Sequence, residues 1–373
     1  MSASFEIQLI AIIISVACAL PGTFLVLRKM SMMTDSITHT ILLGIVIAFF
    51  ATHDLSSPLL IIGAGLMGVV TVWLTETIVN TKIVSEDASI GLVFPLLFSI
   101  AIILITRYAG STHLCEDSVL LGELAFAPFN RMVVFGVDIG AKAIYTGLIL
   151  LIINFVFIAV FYKELKIATF DPLLASVLGL APVFLNYGLM TIVSVTTVVS
   201  FEAVGSILVI AFMIGPPVTA YLLTDKLHLM LILSAVFGAI SGIAGYQLAS
   251  IFDVSIAGSM AVMMGVIFFV VFICAPQRGL VSVFVRRRRQ KSLYAEATLL
   301  FHLNNHQDTD EVSEENGVDS IRHHLRWEQS KLDKMLSLLI KEEKVEFSNN
   351  LVLLTQKGKI ATKEAVESLL TID

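Results

Sequence analysis

The sequence predicts an all-α polytopic membrane protein with about nine transmembrane helices, followed by a small α+β domain. Of its 373 residues, 57% are hydrophobic and 14% are charged, whereas a soluble chain averages nearer ~25% charged. The mean hydropathy is +0.90. Residues 1–289 carry 14 Lys+Arg and 15 Asp+Glu, while residues 290–373 carry 10 and 15. We therefore predict a transmembrane domain over 1–289 and a polar cytoplasmic domain over 290–373.

Runs of ~20 mainly apolar residues are long enough to cross the hydrocarbon core of a bilayer as helices. Two of the runs nearly meet around Ser200, which leaves a single re-entrant unit as an alternative to two spans. The predicted spans cover residues 6–27, 36–51, 57–80, 89–107, 142–162, 181–200, 202–224, 229–251 and 256–275.

Lys and Arg residues indicate the orientation, because the cytoplasmic loops of membrane proteins are enriched in them. With the N-terminus outside, the cytoplasmic side collects Arg28, Lys29, Lys163, Lys166 and the run 286–289. This alternation also places the C-terminal domain in the cytoplasm.

The connection 114–141 is too polar to span and then lies outside. Its polar residues could capture a cation, but turns with mixed charges are common, so we favour a solvated loop. The residues concerned are His113, Cys115, Glu116 and Asp117.

The segment between the first two runs carries the strongest candidate site. Thr34 or Asp35 can cap the second helix, because a short side-chain oxygen can accept a free backbone N–H of the first turn. Asp35 and His39 are four residues apart and therefore share one helix face. A carboxylate beside an imidazole suits a divalent transition metal. Spacing alone leaves an alternative, in which Asp35 only caps and His39 only hydrogen-bonds a neighbouring helix.

Polar residues inside apolar runs are costly and usually point into the protein. On this basis Asn186, Glu202 and Glu76 are candidates for an ion pathway. Pro216 and Pro217 should break the seventh helix and free carbonyl groups toward a cavity, unless they only kink it.

Glycines recur in two of the runs, where neighbouring helices should pack closely. Gly63, Gly65 and Gly68 lie in the third run, and Gly238 and Gly242 lie in the eighth. The Gly-x-x-x-Gly spacing of the last pair lets two backbones approach in lipid, so we assign these positions to packing.

A short helix is predicted on the cytoplasmic side between the fifth and sixth runs. Asp171 and Pro172 favour its start, with proline at the first helical position, and Gly179 favours its end. Such a helix is what a membrane subunit would present to a cytoplasmic motor. An ordinary helical linker is the alternative.

Five ordered motifs resemble those of bacterial ABC permeases that import manganese, zinc or iron. The resemblance covers most of residues 6–282. The motifs are Met30-Ser-Met-Met-Thr-Asp35-Ser-Ile-Thr-His39 with Ile41-Leu-Leu-Gly44, Glu86-Asp87-Ala-Ser-Ile-Gly91, Phe170-Asp-Pro with Ala175 and Gly179, Ala203-Val-Gly205 with Pro216-Pro-Val-Thr-Ala220, and Ala275-Pro-Gln-Arg-Gly279.

The resemblance implies a multi-pass protein of the bacterial cytoplasmic membrane that works as a homodimer or beside a related permease. It implies two cytoplasmic ABC ATPase subunits and an extracytoplasmic metal-binding protein as partners. Asp35 and His39 would contact the transported metal, and Glu202, where relatives often have Gln, is a second-rank pathway residue. The coupling helix that docks on the ATPase would include Asp171, Pro172, Ala175 and Gly179.

The expected cargo is Mn, Zn or Fe, with no permanently bound cofactor. The sequence contains no Gly-x-x-x-x-Gly-Lys-Ser/Thr phosphate loop, so ATP hydrolysis is expected on a separate chain and the protein is not itself expected to be an enzyme. Two alternatives remain open, a proton-coupled secondary metal transporter and a membrane-tethered metal-responsive regulator.

The C-terminal domain is predicted to contain helices at Tyr294–Leu303 and Ser330–Ile340, two strands within Lys344–Thr355, and a closing helix at Lys357–Leu370. Together with the motif at 352–361, this order resembles winged-helix domains, including those of metal-dependent repressors of the diphtheria-toxin-repressor type.

The negative charge of this domain is opposite to the basic footprint that DNA phosphates require. DNA binding is therefore disfavoured, and a regulatory or docking module is favoured. Four histidines beside acidic residues could sense cytoplasmic metal, with a solvated acidic loop as the more ordinary interpretation. They are His302, His306, His323 and His324.

Overall fold

The computed structural model describes residues 2–53, 57–108, 124–134, 137–307, 312–348 and 351–370. The chain forms two compact units, Met1–Gly279 and Leu280–Asp373. The boundary predicted at Arg289 lies inside the helix Leu280–His306, because the arginine run continues that helix without a break. His113, Cys115, Glu116 and Asp117 lie outside the described residues.

The first unit is built from apolar helices, one for each predicted run. Among the described residues, eight helices are long and apolar enough to cross a membrane, and a ninth, α9, has 16 residues. The polytopic architecture is therefore confirmed, with one short helix among the nine. The apolar helices are α1 (Ala3–Leu27), α2 (Met32–Thr52), α3 (Pro58–Asn80), α4 (Glu86–Tyr108), α5 (Lys142–Val160), α8 (Pro182–Val204), α9 (Ser206–Tyr221), α10 (Leu227–Phe252) and α11 (Ile256–Cys274).

Helix α1 lies at the centre of the first unit and contacts α5, α9 and α10. Its side chains from Ile10 to Leu25 are almost all buried, whereas α5 and α11 leave residues such as Phe155 and Val262 exposed. Apolar side chains that face outward are what a hydrocarbon surround favours. Hydrophobicity therefore does not mark the core of this unit.

Helices α8 and α9 are separate and divide at Gly205. The prediction that Pro216 and Pro217 break the seventh helix is wrong, since α9 continues through both to Tyr221. Each proline removes one backbone donor. The carbonyl groups that lose their helical donor are those of Phe212 and Met213, four residues before each proline.

The glycines of α10 pack as predicted, but those of α3 do so only in part. A Cβ on Gly238 or Gly242 would meet Ser15 or Ala11 of α1 at 3.2–3.3 Å. Gly63 likewise lies against another backbone, that of Gly44 in α2, whereas a Cβ on Gly65 would have no described atom within 4 Å. The carbonyl oxygen of Gly65 nevertheless accepts a hydrogen bond of 3.0 Å from Ser194 Oγ of α8, so Gly65 contacts a neighbouring helix through its backbone.

The part of the 114–141 connection that the structure describes contains a β-hairpin, which the sequence did not predict. A 3₁₀ turn at Ala127–Phe129 precedes β1 (Arg131–Val134), which pairs antiparallel with β2 (Val137–Ala141). Arg131 holds the hairpin together and to α1. Its Nε donates to Asp138 Oδ2 at 2.6 Å, and its Nη1 lies 3.3 Å from the buried carboxylate of Glu6. The hydrogen bond from Arg131 lowers the pKa of Asp138.

Two short helices, α6 (Tyr162–Phe170) and α7 (Pro172–Val177), connect α5 to α8. The second is the short helix that the sequence predicts in this connection.

The second unit combines helices with one antiparallel hairpin. The predicted helices and strands are confirmed, while the short helices α13 and α14 fall where no element was predicted. The elements are α12 (Leu280–His306), α13 (Val312–Glu315), α14 (Val318–Leu325), α15 (Gln329–Lys341), β3 (Val345–Ser348), β4 (Leu351–Leu354) and α16 (Gln356–Leu370). Its core joins Leu299 and Leu303 of α12 to Ile321, Leu336 and Val352.

Candidate metal site

Asp35 and His39 lie on one face of α2, as their spacing predicts. Asp35 Oδ1 and His39 Nε2 are 3.6 Å apart, and the two side chains remain 39% and 33% exposed. Helix α2 begins at Met32, after Ser31. The capping role predicted for Thr34 or Asp35 is therefore wrong, because the helix starts earlier than the apolar run does. Asp35 instead occupies the first turn, where the free N–H groups favour a carboxylate.

The ring of His39 packs against two aromatic side chains of α4. Its centroid lies 5.3 Å from that of Phe94 and 5.7 Å from that of Phe98. His39 Nδ1 is buried and has no hydrogen-bond partner among the described residues. The alternative that His39 only hydrogen-bonds a neighbouring helix therefore finds no support in this geometry. A buried ring nitrogen without a partner calls for an explanation such as a bound ion or water.

The two side chains of this pair differ in chemistry, and their separation leaves room for a cation between them. The carboxylate supplies negative charge and hard oxygen atoms, while a neutral imidazole supplies a nitrogen lone pair. Ligands ~2.1 Å from a tetrahedral ion lie ~3.4 Å from each other. The 3.6 Å separation of Asp35 and His39 is close to this value. The pair can thus supply two of the ligands of a divalent cation.

Asn186 lies in a pocket near the start of α8 that Asp35 and His39 do not line. It accepts a hydrogen bond of 2.7 Å from Arg28 Nη1 and donates to Glu76. The pocket has a volume of about 570 Å³, and Glu86 also lines it. Glu76 and Asn186, both predicted from their positions inside apolar runs, are thus brought together. The sequence analysis did not connect Arg28 with them, since it lies 158 residues from Asn186.

Glu202 lies near the opposite end of α8 and is exposed. Sixteen residues of helix separate it from Asn186, which corresponds to ~24 Å. Its Oε1 is 3.6 Å from Lys142 Nζ at the start of α5. Glu202 therefore lies apart from Asn186 and Glu76, and the structure does not gather the three candidate pathway residues into one site.

The four residues predicted for the coupling helix determine where α7 begins and ends, or are buried beneath it. They do not form its exposed surface. Asp171 caps the helix, its Oδ1 accepting from the N–H of Leu174 at 2.9 Å, and Pro172 takes the first position. Ala175 is fully buried. Gly179 follows the helix with φ +74°, a conformation that a side chain would strain.

The outward face of α7 is apolar. Leu173 and Val177, four residues apart, are 77% and 79% exposed. The sequence analysis missed these two residues, although apolar side chains at helical spacing on a helix too short to span are the signal for them. They form what we call the α7 apolar face.

Comparisons with known proteins agree with this architecture. The model of the ABC 3 transport family matches residues 3–275. "Manganese transport system membrane protein MntD" of Bacillus subtilis is 46% identical over 281 residues, which cover 75% of this chain and 95% of that protein. "Zinc transport system membrane protein TroD" of Treponema pallidum is 42% identical over 355 residues, which cover 95% of this chain and 96% of that protein.

A solved structure is also similar to the first unit in fold. "PsaBC from Streptococcus pneumoniae in complex with Fab" superposes with a TM-score of 0.61 at 27% identity, and the match covers 74% of this chain and 94% of that one. With the family match over 3–275, this likeness accounts for the apolar helices that carry Asp35, His39 and α7. The chain belongs to the ABC 3 transport family.

Proposed function

We propose that this protein is the membrane-spanning permease subunit of an ATP-driven importer of divalent manganese or zinc. The observation that carries the proposal is the Asp35–His39 pair, in which a carboxylate and a partly enclosed imidazole lie 3.6 Å apart. MntD and TroD are named for manganese and zinc transport, so the proposed cargo is narrower than the sequence-based expectation, which included iron.

The physical problem for such a permease is the cost of stripping water from the ion. A hydrated divalent ion cannot cross ~30 Å of hydrocarbon. Asp35 and His39 replace part of the hydration shell, and a second permease subunit, identical or related, supplies a matching pair or leaves the remaining positions to water. Binding at such a site has to be weak enough to permit release.

The energy comes from a partner, since the sequence contains no phosphate-binding loop. ABC ATPase subunits bind at the α7 apolar face in this proposal, and an extracytoplasmic metal-binding protein delivers the ion. The positions of Lys and Arg support a cytoplasmic location for α7 and for the second unit, in a protein that we propose spans the bacterial cytoplasmic membrane.

We further propose that the second unit is a winged-helix-like regulatory or docking domain. Its support is the order of elements, with α14 and α15 followed by the hairpin β3–β4 and by α16. Residues 290–373 carry more acidic than basic side chains, which disfavours DNA as the partner.

Reconstitution in liposomes tests the proposed energy source. The permease and its ATPase, with the metal-binding protein on the opposite side of the membrane, are expected to take up Mn²⁺ or Zn²⁺ when ATP is present on the ATPase side. Uptake should not occur when ATP is replaced by a non-hydrolysable analogue. A proton gradient alone should drive no uptake. Uptake by the permease alone under a proton gradient would instead identify a secondary transporter.

The α7 apolar face provides a second test. Leu173→Glu and Val177→Glu should each weaken association with the ATPase at least tenfold, because a buried contact of this kind is worth ~2 kcal/mol. The measurement is the amount of ATPase that co-purifies with the permease, together with ATP-driven uptake. Ile251→Glu is the matched control, since Ile251 is equally apolar and 75% exposed near the far end of α10. Equal ATPase recovery from all three variants would contradict the docking role.

A further inference from the structure

Three elements of the second unit bring potential metal ligands to one place. His302 lies on α12, Glu315 ends α13, and His324 lies on α14. One ring nitrogen of each histidine and one carboxylate oxygen of Glu315 all lie within 4.8 Å of one another. The three residues are far enough apart in sequence that only the fold of this unit assembles them.

The contacts within this cluster centre on Glu315. His324 Nδ1 is 2.5 Å from Glu315 Oε2, and His302 Nε2 is 3.2 Å from the backbone carbonyl oxygen of Glu315. The rings of His302 and His324 are 6.0 Å apart between centroids. An ion pair between His324 and Glu315 explains why these two of the three side chains lie together. It does not explain why a second imidazole approaches the same glutamate from another helix.

The surroundings suit a metal ligand set. His302 and Glu315 are half-buried and His324 is exposed, so the cluster lies at the edge of the second unit's core. Burial lowers the pKa of His302. A hydrogen bond from one ring nitrogen to a backbone carbonyl is also the usual way in which a metal-binding histidine is oriented.

We propose that His302, Glu315 and His324 form a binding site for a divalent transition metal, composed only of residues of the second unit. Two imidazoles and one carboxylate are a recognised Zn²⁺ ligand set that leaves a fourth position for water. Other divalent transition metals accept the same donors with affinities that depend on geometry. An ion held here would tie α13 and α14 to α12, so its occupancy would change how firmly these elements pack.

Metal binding by the full-length protein in detergent tests the proposal. The experiment uses the Asp35→Ala/His39→Ala background, so that binding at the transmembrane pair does not contribute to the signal. Equilibrium dialysis against Zn²⁺ is expected to give one bound ion per chain. His302→Ala, Glu315→Gln and His324→Ala, each added to that background, are expected to weaken binding at least tenfold, since losing a residue that only hydrogen-bonds a metal ligand already costs ~10–100-fold.

His323→Ala is the matched control, because His323 is an exposed histidine of the same helix and is not part of the ligand cluster. It should leave zinc binding unchanged. Circular dichroism and the elution volume of each variant report folding. If His302→Ala misfolds, the exposed His324 still decides the question. The proposal is overturned if the background protein binds no stoichiometric zinc, or if His324→Ala binds it as tightly as His323→Ala does.

Discussion

Replacing Asp35 with alanine is expected to abolish metal uptake while leaving the permease in the membrane with its ATPase attached. The variant removes a carboxylate, so the ion loses both a ligand and a negative charge that offsets its own. His39→Ala should have the same effect, since Nε2 of His39 lies 3.6 Å from Asp35 Oδ1 and would contact the same ion. Each loss of uptake should exceed tenfold, because removing a residue that only hydrogen-bonds a metal ligand already costs ~10–100-fold in affinity or activity.

Uptake of radiolabelled Mn²⁺ or Zn²⁺ into liposomes that contain the complete complex measures this effect. Met32→Ala is the matched control, because Met32 belongs to the same first turn of α2 and is exposed. It should transport as the unchanged protein does. Asp35→Asn separates charge from shape and should behave like Asp35→Ala. Normal uptake by both Asp35→Ala and His39→Ala would refute the site. Co-purification of the ATPase with each variant shows that the complex is still assembled.

The sequence predicted the Asp35–His39 pair because helix geometry is local. Four residues along a helix return to the same face whatever else the chain does. The enclosure of His39 is a different matter, since Phe94 and Phe98 come from α4, more than fifty residues later in the sequence. Nothing in the spacing of α2 shows that one ring nitrogen is buried without a partner.

Helix α7 also shows that the sequence predicts local backbone features but not which side chains are covered by other helices. Its start and end follow from Asp171, Pro172 and Gly179, whose effects on the backbone are local. Which of its residues are exposed could not be predicted from the sequence, because the small Ala175 is buried while the larger Leu173 is exposed. In a chain with 57% hydrophobic residues, side-chain type says little about which face is covered. The β-hairpin was missed for a related reason, since Arg131 ties it to Glu6, 125 residues away in the sequence.

The crossing of α2 and α3 depends on a contact between two backbones. A Cβ added to Gly44 would lie 2.3 Å from the carbonyl oxygen of Gly63 and 2.7 Å from its carbonyl carbon. A Cβ added to Gly63 would in turn lie 2.7 Å from the carbonyl oxygen of Gly44. Backbone atoms cannot move aside as the end of a flexible side chain can. Helix α2, which carries Asp35 and His39, is therefore held against α3 at a distance that only glycine permits.

Gly44→Ala is accordingly expected to push α2 and α3 apart and to destabilise the protein by about 1–3 kcal/mol, the usual cost of overpacking. Uptake should fall as well, because the helix that carries the metal ligands moves. Gly65→Ala is the matched control on α3, since its Cβ would meet no described atom within 4 Å. Alanine there should be neutral or stabilising by up to ~1 kcal/mol, the difference in helix propensity. Thermal unfolding in detergent compares the two variants directly. Equal unfolding midpoints would contradict the prediction, because they would show that moving α2 away from α3 does not destabilise the protein.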